Sequence, residues 1–361
     1  MTAATVTKDY SLLGENARQA VESGLAGAKW YAAQIPRKRM KELMARSDQP
    51  AIRDTAVWFG LILTFGALGI ATWGSWWAVP VFAVYGMLYG GSSDSRWHEA
   101  GHGTAFKTRW MADALYQVAS FMVLRRPTVW RWSHSRHHTD TIIVGRDPEI
   151  IQPRPPSFLE LGLGIFALKG GTKELAGVVR NAFGRLGEEE ATFIPEMERP
   201  KVYREARVWL GIWAAVILLS LATRSFLPLM LVGLPSFYGA WFYLFTGLTQ
   251  HIGLAEDVLD HRLNSRTVMM NPVLRFLYWN MNYHVEHHMF PMVPYHALPA
   301  LHAEIRDDLP EPCSSLWAAY REIVPTLWRQ LHDPTHYIHR QLPAGASPFR
   351  PEMHDAVFER A

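Results

Sequence analysis

Four long apolar runs limit what this chain of 361 residues can fold into. Residues 56 to 73 (AVWFGLILTFGALGIATW) and 75 to 91 (SWWAVPVFAVYGMLYGG) carry no charge and are separated by a single glycine. A second pair lies at 206 to 222 (ARVWLGIWAAVILLSLA) and 226 to 249 (FLPLMLVGLPSFYGAWFYLFTGLT). As a helix each run would cover roughly 25 to 35 Å, close to the hydrocarbon thickness of a bilayer. Tryptophans flank them, among them Trp58, Trp73, Trp76, Trp77, Trp209 and Trp241, as suits a side chain with an apolar body and a wet N–H. The pattern predicts an all-α integral membrane protein with four transmembrane helices in two hairpins.

Orientation follows from the flanking charge. Nine basic residues precede the first run, including Arg37, Lys38, Arg39 and Lys41, whereas the turn near Trp73 has none and the turn near Ser225 has only Arg224. Lys and Arg stay on the cytoplasmic side. Both termini and the polar segments 92 to 205 and 250 to 361 are therefore expected there, in a multi-pass protein of the cell (inner) membrane without a cleavable signal peptide. The net charge of +3 and the lack of a basic stripe interleaved with aromatics argue against a nucleic-acid partner. The single cysteine, Cys313, excludes an internal disulfide and a CxxC metal site.

The polar segments carry histidines in three tight groups: His98 and His102, then His134, His137 and His138, then His284, His287 and His288. An HxxxH and two HxxHH spacings place imidazoles on one face of a helix, where they converge on a metal. The second apolar run turns polar at about Gly91, so a continuing helix carries His98 and His102 beyond the hydrocarbon. The fourth run ends just before His251. All these histidines thus gather in a cytoplasmic helical cap close to the membrane surface. Eight or nine imidazoles exceed what one ion accommodates, which implies a di-metal site. Imidazole suits zinc, copper and iron alike.

Three regions are expected: a basic interfacial segment at 1–53, split into two short helical stretches by Pro36; a membrane domain that carries the histidine groups at 54–340; and a flexible tail at 341–361. Residues 1 to 12 also read as disordered. The apolar stretch 110 to 124 is too short to span and predicts an interfacial or re-entrant helix. The acidic run Glu188, Glu189, Glu190 reads as a solvated patch. His332, His336 and His339 read as a polar tail, since Pro334 interrupts them, and His261, His296, His302 and His354 stand alone.

The motifs HEAGHGTAF (98 to 106), WSHSRHHTDT followed by Asp147-Pro148, QHIGLAED (250 to 257) and NYHVEHHMFPMVPYHALP (282 to 299) resemble the membrane-bound fatty acid desaturase and hydroxylase superfamily over about residues 55 to 305. Their wording is most similar to a bacterial branch that includes a rhizopine-catabolism oxygenase. The resemblance implies a non-haem di-iron centre in which the eight box histidines and His251 bind two Fe2+ ions, with O2 as co-substrate, and hydrogen is removed from an unactivated carbon. Desaturation and hydroxylation both begin that way. An acyl chain is the substrate the superfamily implies; a small N-methylated or hydroxylated compound is the alternative from the rhizopine-like wording. Glu99, Asp140, Asp147, Asp257 and Glu286 are candidates to orient the ligands through their outer ring nitrogens.

Two other readings compete. His98-Glu99-Ala100-Gly101-His102 also spells HExxH, the zinc-peptidase signature, but a peptidase leaves six or seven clustered histidines without a role. A protein that only binds or senses metal is the third. An oxidase needs electrons from outside, and the chain has no CxxC, GxGxxG or HPGG segment to carry a redox group. The expected partners are therefore membrane lipid and a ferredoxin-type donor with its reductase, for which Arg125, Arg126, Arg131 and Arg136 offer complementary charge, an equal alternative for the four being anchorage at lipid phosphate.

Overall fold

The computed structural model describes residues 8–347, so most of the 341–361 tail, with His354, lies outside the described residues. Among these residues the chain is helical, and β-type pairing is confined to isolated bridges at Thr267 with Tyr283 and Val268 with Cys313. Two short helices, α1 (Glu15–Glu22) and α2 (Arg37–Leu43), precede the first long helix, α3 (Asp48–Thr72). Pro36 stands at the N-cap of α2, where its missing N–H costs nothing. The chain returns through α4 (Ala78–Gly86), a π-helical turn (Met87–Gly91) and α5 (Ser93–His102). Helices α6 (Arg109–Val123) and α7 (Pro127–Thr139) follow, then α8 (Phe158–Gly164) and α9 (Leu168–Ala182). The second long helix, α10 (Arg199–Thr223), is answered by α11 (Leu227–Leu231), α12 (Pro235–Tyr238) and α13 (Ala240–His251). Short helices α14 (His261–Asn264), α15 (Pro272–Leu277), α16 (His284–Met289) and α17 (Leu298–Ile305) lead to α18 (Leu316–Gln330).

Two helical stretches, Arg37–Thr72 and Glu196–Thr223, are long and apolar enough to cross a membrane, and the protein covers only 17 % of either apolar window. Leu63, Leu218 and Leu221 point outward along them. The returning arms expected to form the other two spans are helical but broken. In the last run Pro228 and Pro235 lack the N–H that continues a helix, and Gly233 sits at φ +99°, so three short helices replace one. In the first returning arm the π turn shifts the register between α4 and α5.

The breaks coincide with the closest approach of the two arms. A Cβ on Gly90 would stand 2.2 Å from the carbonyl oxygen of Pro235, and one on Gly239 would stand 1.9 Å from that of Gly86. Glycine on both sides lets the two backbones touch, and this crossing comes just before α5 and α13 in the chain, the helices that carry His98, His102 and His251. The apolar core packs around it through Trp58, Tyr85, Leu88, Trp97 and Phe242, and the Trp58 indole donates to the Leu88 carbonyl at 2.9 Å. The stretch 110 to 124 is α6, whose Ala112, Leu115, Tyr116 and Ala119 are buried in this core.

Candidate metal centre

The three boxes lie on α5, α7 and α16, and His251 is the last residue of α13. Helical spacing turns the members of each box to one side, and the packing of the four helices turns those sides toward one another. The imidazoles divide into two groups. His98, His102, His134, His138 and His287 form one; His137, His251, His284 and His288 form the other; within each, the available ligand atoms lie within 4.8 Å of one another. The two HxxHH boxes are therefore each split: His137 turns away from its box partners to the second group, and His287 joins the first. No periodicity argument separates them, because the division depends on how α7 and α16 face each other.

The inner nitrogens are crowded. The Nε2 atoms of His98 and His287 are 2.7 Å apart, those of His98 and His134 3.1 Å, and those of His102 and His134 3.1 Å. In the second group His284 Nε2 lies 2.9 Å from that of His251 and 3.0 Å from that of His288. Three outer nitrogens meet acceptors at 3.0 Å or closer, and His288 Nδ1 faces Thr141 Oγ1 at 3.3 Å. His134 Nδ1 donates to Glu149 at 3.0 Å, His137 Nδ1 to Asp147 at 2.8 Å and His251 Nδ1 to the Asn264 carbonyl at 2.8 Å. A neutral imidazole with its proton on Nδ1 presents a lone pair on Nε2, so these rings aim lone pairs inward. Converging lone pairs repel one another and suit a cation between them. Burial holds His98, His102, His138, His251, His284, His287 and His288 well below the usual histidine range, reinforced in nearly every case by neighbouring imidazoles, which keeps them neutral and able to ligate. His137 differs: burial alone would lower it, but the Asp147 carboxylate raises it. The donor set fits two metal ions bound by imidazole.

A family model described as fatty acid desaturase matches residues 74–320, a span that contains all three boxes and His251. The chain belongs to the fatty acid desaturase family. Membership makes it an oxidoreductase of a membrane-associated family. No curated protein matches it.

The carboxylates of this desaturase-family protein fall into distinct roles. Asp147 touches His137, and its other contacts, the backbone N–H groups of Ile142 and Glu149 at 2.8 Å each, fix its orientation. Glu99 is buried with Oε1 3.3 Å from His287 Nδ1, while Oε2 accepts from Thr104 and from the Tyr295 backbone. It stands behind a histidine rather than before the converging nitrogens, which leaves the HExxH peptidase reading without its general base. Burial pushes its pKa up to about 8. Glu286 accepts from Thr267 Oγ1 at 2.6 Å and closes on His302, a histidine expected to stand alone. Asp140 and Asp257 meet no histidine: Asp140 receives Arg146 at 3.0 Å, and Asp257 receives Lys8 at 2.6 Å and the Val144 N–H at 2.8 Å. Glu149 was not singled out in the sequence, yet it is the partner of His134 and also accepts from Ser133 at 2.9 Å. The signal for it was a second carboxylate two residues after Asp147.

A cavity of about 770 Å³ reaches both groups, touching His98 and His134 of the first and His137 and His251 of the second. Asp94 and Arg125 form an ion pair at 2.7 Å in its wall, with the guanidinium boxed by the rings of Trp97, Trp130 and Tyr243. Residues expected to be disordered close its rim: the Tyr10 hydroxyl donates to Glu256 at 2.9 Å, and Lys8 pairs with Glu256 at 3.1 Å. The acidic run is likewise structural. Glu190 pairs with the buried Arg126 at 2.8 Å, and Glu189 accepts from Ser11 at 3.3 Å. Arg125, Arg126 and Arg131 are thus engaged inside the fold, Arg131 over the Tyr116 ring, and Arg136 donates to Thr192 at 2.9 Å. The four arginines expected to meet a carrier already have partners here.

Proposed function

We propose that this protein is an O2-dependent di-iron oxidoreductase that removes hydrogen from an unactivated carbon, desaturating or hydroxylating an acyl chain, with electrons from a ferredoxin-type carrier and its reductase. The observation that carries the reading is the division of nine imidazoles into groups of five and four beside one cavity that touches both. Iron, when bound there, supplies the reductive activation of O2 that C–H cleavage needs. His98, His102, His134, His138 and His287 would hold one ion, and His137, His251, His284 and His288 the other. Glu149, Asp147 and the Asn264 carbonyl hold the imidazole protons on the outer nitrogens, which orients the rings and raises their basicity. The cavity admits substrate alongside both groups and, with residues 8 to 12 across its rim, limits water.

In this reading α3 and α10 each span the bilayer, the broken arms return beside them, and both termini face the cytoplasm with the metal centre. One observation favours the second substrate class, a small N-methylated or hydroxylated compound. The cavity wall holds the Asp94–Arg125 pair and Glu149 close to the first histidine group, and an alkyl chain does not solvate such groups. Reaction under ¹⁸O₂ with mass spectrometry decides among the outcomes. Loss of two hydrogens without label is desaturation, label in an acyl product is hydroxylation, and a labelled or demethylated small compound selects the second class. Peptide cleavage without O2 consumption would overturn the reading.

A further inference from the structure

Four aromatic rings form a column from the surface into both histidine groups. The indole of Trp30 stacks on the imidazole of His261 with centroids 4.2 Å apart and planes within 3°. His261 is buried, belongs to neither ligand group, and has a buried Nδ1 without a hydrogen-bond partner. Its ring lies 5.1 Å from that of His288 in the second group, and His288 stacks at 4.4 Å and 24° on His138 in the first. Trp30 is half-buried, and its indole N–H is fixed by the Thr139 carbonyl at 2.9 Å, at the end of α7. The stack accounts for a histidine that neither ligates nor hydrogen-bonds through Nδ1.

The chain that carries Trp30 is basic from Lys29 onward. The segment from Lys29 to Lys41 contains Lys29, Arg37, Lys38, Arg39 and Lys41 and no acidic residue. Lys29, Arg37, Lys38 and Lys41 are exposed, and among the described residues only Arg39 of the five forms an ion pair, with Glu42 and Glu304. A half-buried aromatic ring, followed along the chain by unpaired positive charge, is complementary to an acidic protein face.

Resting on the di-iron reading above, we infer that the face around Trp30 docks a small acidic one-electron carrier, and that the Trp30–His261–His288–His138 column is the route by which electrons reach the metal centre. In each transfer the reduced carrier loses one electron and the centre gains it; the rings are bridging groups and end unchanged. Two transfers supply the two electrons that O2 reduction requires beyond the pair removed from substrate.

The test uses the full-length iron-loaded protein and a photoreduced [2Fe–2S] ferredoxin under anaerobic conditions, following ferredoxin oxidation by stopped-flow absorbance. Trp30→Leu should slow the transfer by about tenfold or more, the loss expected for an aromatic anchor. Trp30→Phe should stay close to wild type, and iron content and reduction by dithionite should be unchanged in both. A photo-crosslinking amino acid at position 30 should capture ferredoxin even in iron-free protein, and salt should suppress the adduct. Wild-type rates in Trp30→Leu, or no adduct from position 30, overturn the inference and leave the di-iron reading standing. Failure of ferredoxin to reduce the wild-type protein overturns the carrier reading as well. If Trp30→Leu loses iron, the Trp30→Phe rate and the adduct decide.

Discussion

Nine imidazoles cannot choose their own tautomers, and the groups behind them do so. Glu149 behind His134 is the clearest case, and Glu149→Ala should lower iron affinity about 10- to 100-fold, read by chelator competition on the purified protein. Asp257→Asn is the contrasting variant, because Asp257 meets Lys8 and the Val144 N–H and no histidine; its iron affinity should match wild type. A reversed outcome would mean that the orienting groups are misassigned. His251→Ala should lose iron from the second group and turnover with it; retention of both would remove His251 as a ligand. The box histidines were legible because helical spacing is written in the sequence. Asn264 was not, because it acts through its backbone carbonyl, and Asp140 and Asp257 were nominated by proximity in sequence although the chain turns their carboxylates toward Arg146 and Lys8.

Burial also makes the metal-free protein sensitive to pH. Seven ligand histidines are held well below the usual range and His261 is pushed down to about 3, so the native chain stays unprotonated where the unfolded chain takes up protons. Such groups contribute stability above the unfolded histidine value and lose it as pH falls through about 6.5. Each proton adds about 1.4 kcal/mol per pH unit to the slope. His137, whose pKa is raised, opposes the trend with one proton. The melting temperature of iron-free protein in detergent should therefore fall between pH 7.5 and pH 5.5; no change would show that the imidazoles are solvated, and a rise that they are held protonated in the fold.

At the scale of elements, the crossing of the two returning arms positions α5 and α13. Gly239→Ala would drive a Cβ to 1.9 Å from the Gly86 carbonyl oxygen, and Gly90→Ala one to 2.2 Å from that of Pro235, with backbone rather than a flexible side chain in the way. Each should cost about 1 to 3 kcal/mol or more, seen as a lower melting temperature and a lower iron content, since His102 and His251 are carried by the displaced helices. Gly60→Ala on α3 meets nothing within 4 Å and should be neutral in both measurements. The prolines and glycines that break α11 to α13 were visible in the sequence, but hydropathy alone averages over them and reports one run. Arg96 shows a feature that hydropathy misreads in the opposite direction. It is fully buried, donates to the Phe276 carbonyl at 3.0 Å, and packs against the rings of Trp58, Phe276 and Trp279, tying α5 to the end of α15.

For the whole molecule, the all-helical class and the gathering of the boxes were legible from periodicity and from where the apolar runs end. The division into five and four was not, because it depends on the facing of α7 against α16. The partners of Arg125 and Arg126 were not legible for a similar reason: charge is visible in sequence, but the ion pairs that engage it, with Asp94 and Glu190, are long-range. Reporter fusions should find both termini on the cytoplasmic side, and a C-terminus outside would contradict two hairpins. The oxidoreductase reading stands on a two-iron centre held by histidine alone. Its most direct measurement is metal content per chain, by elemental analysis of protein purified after iron-replete expression, in wild type and in His102→Ala and His284→Ala. Two irons are expected in the wild type and fewer in each variant. A single zinc in the wild type, or two irons surviving in both variants, would contradict it.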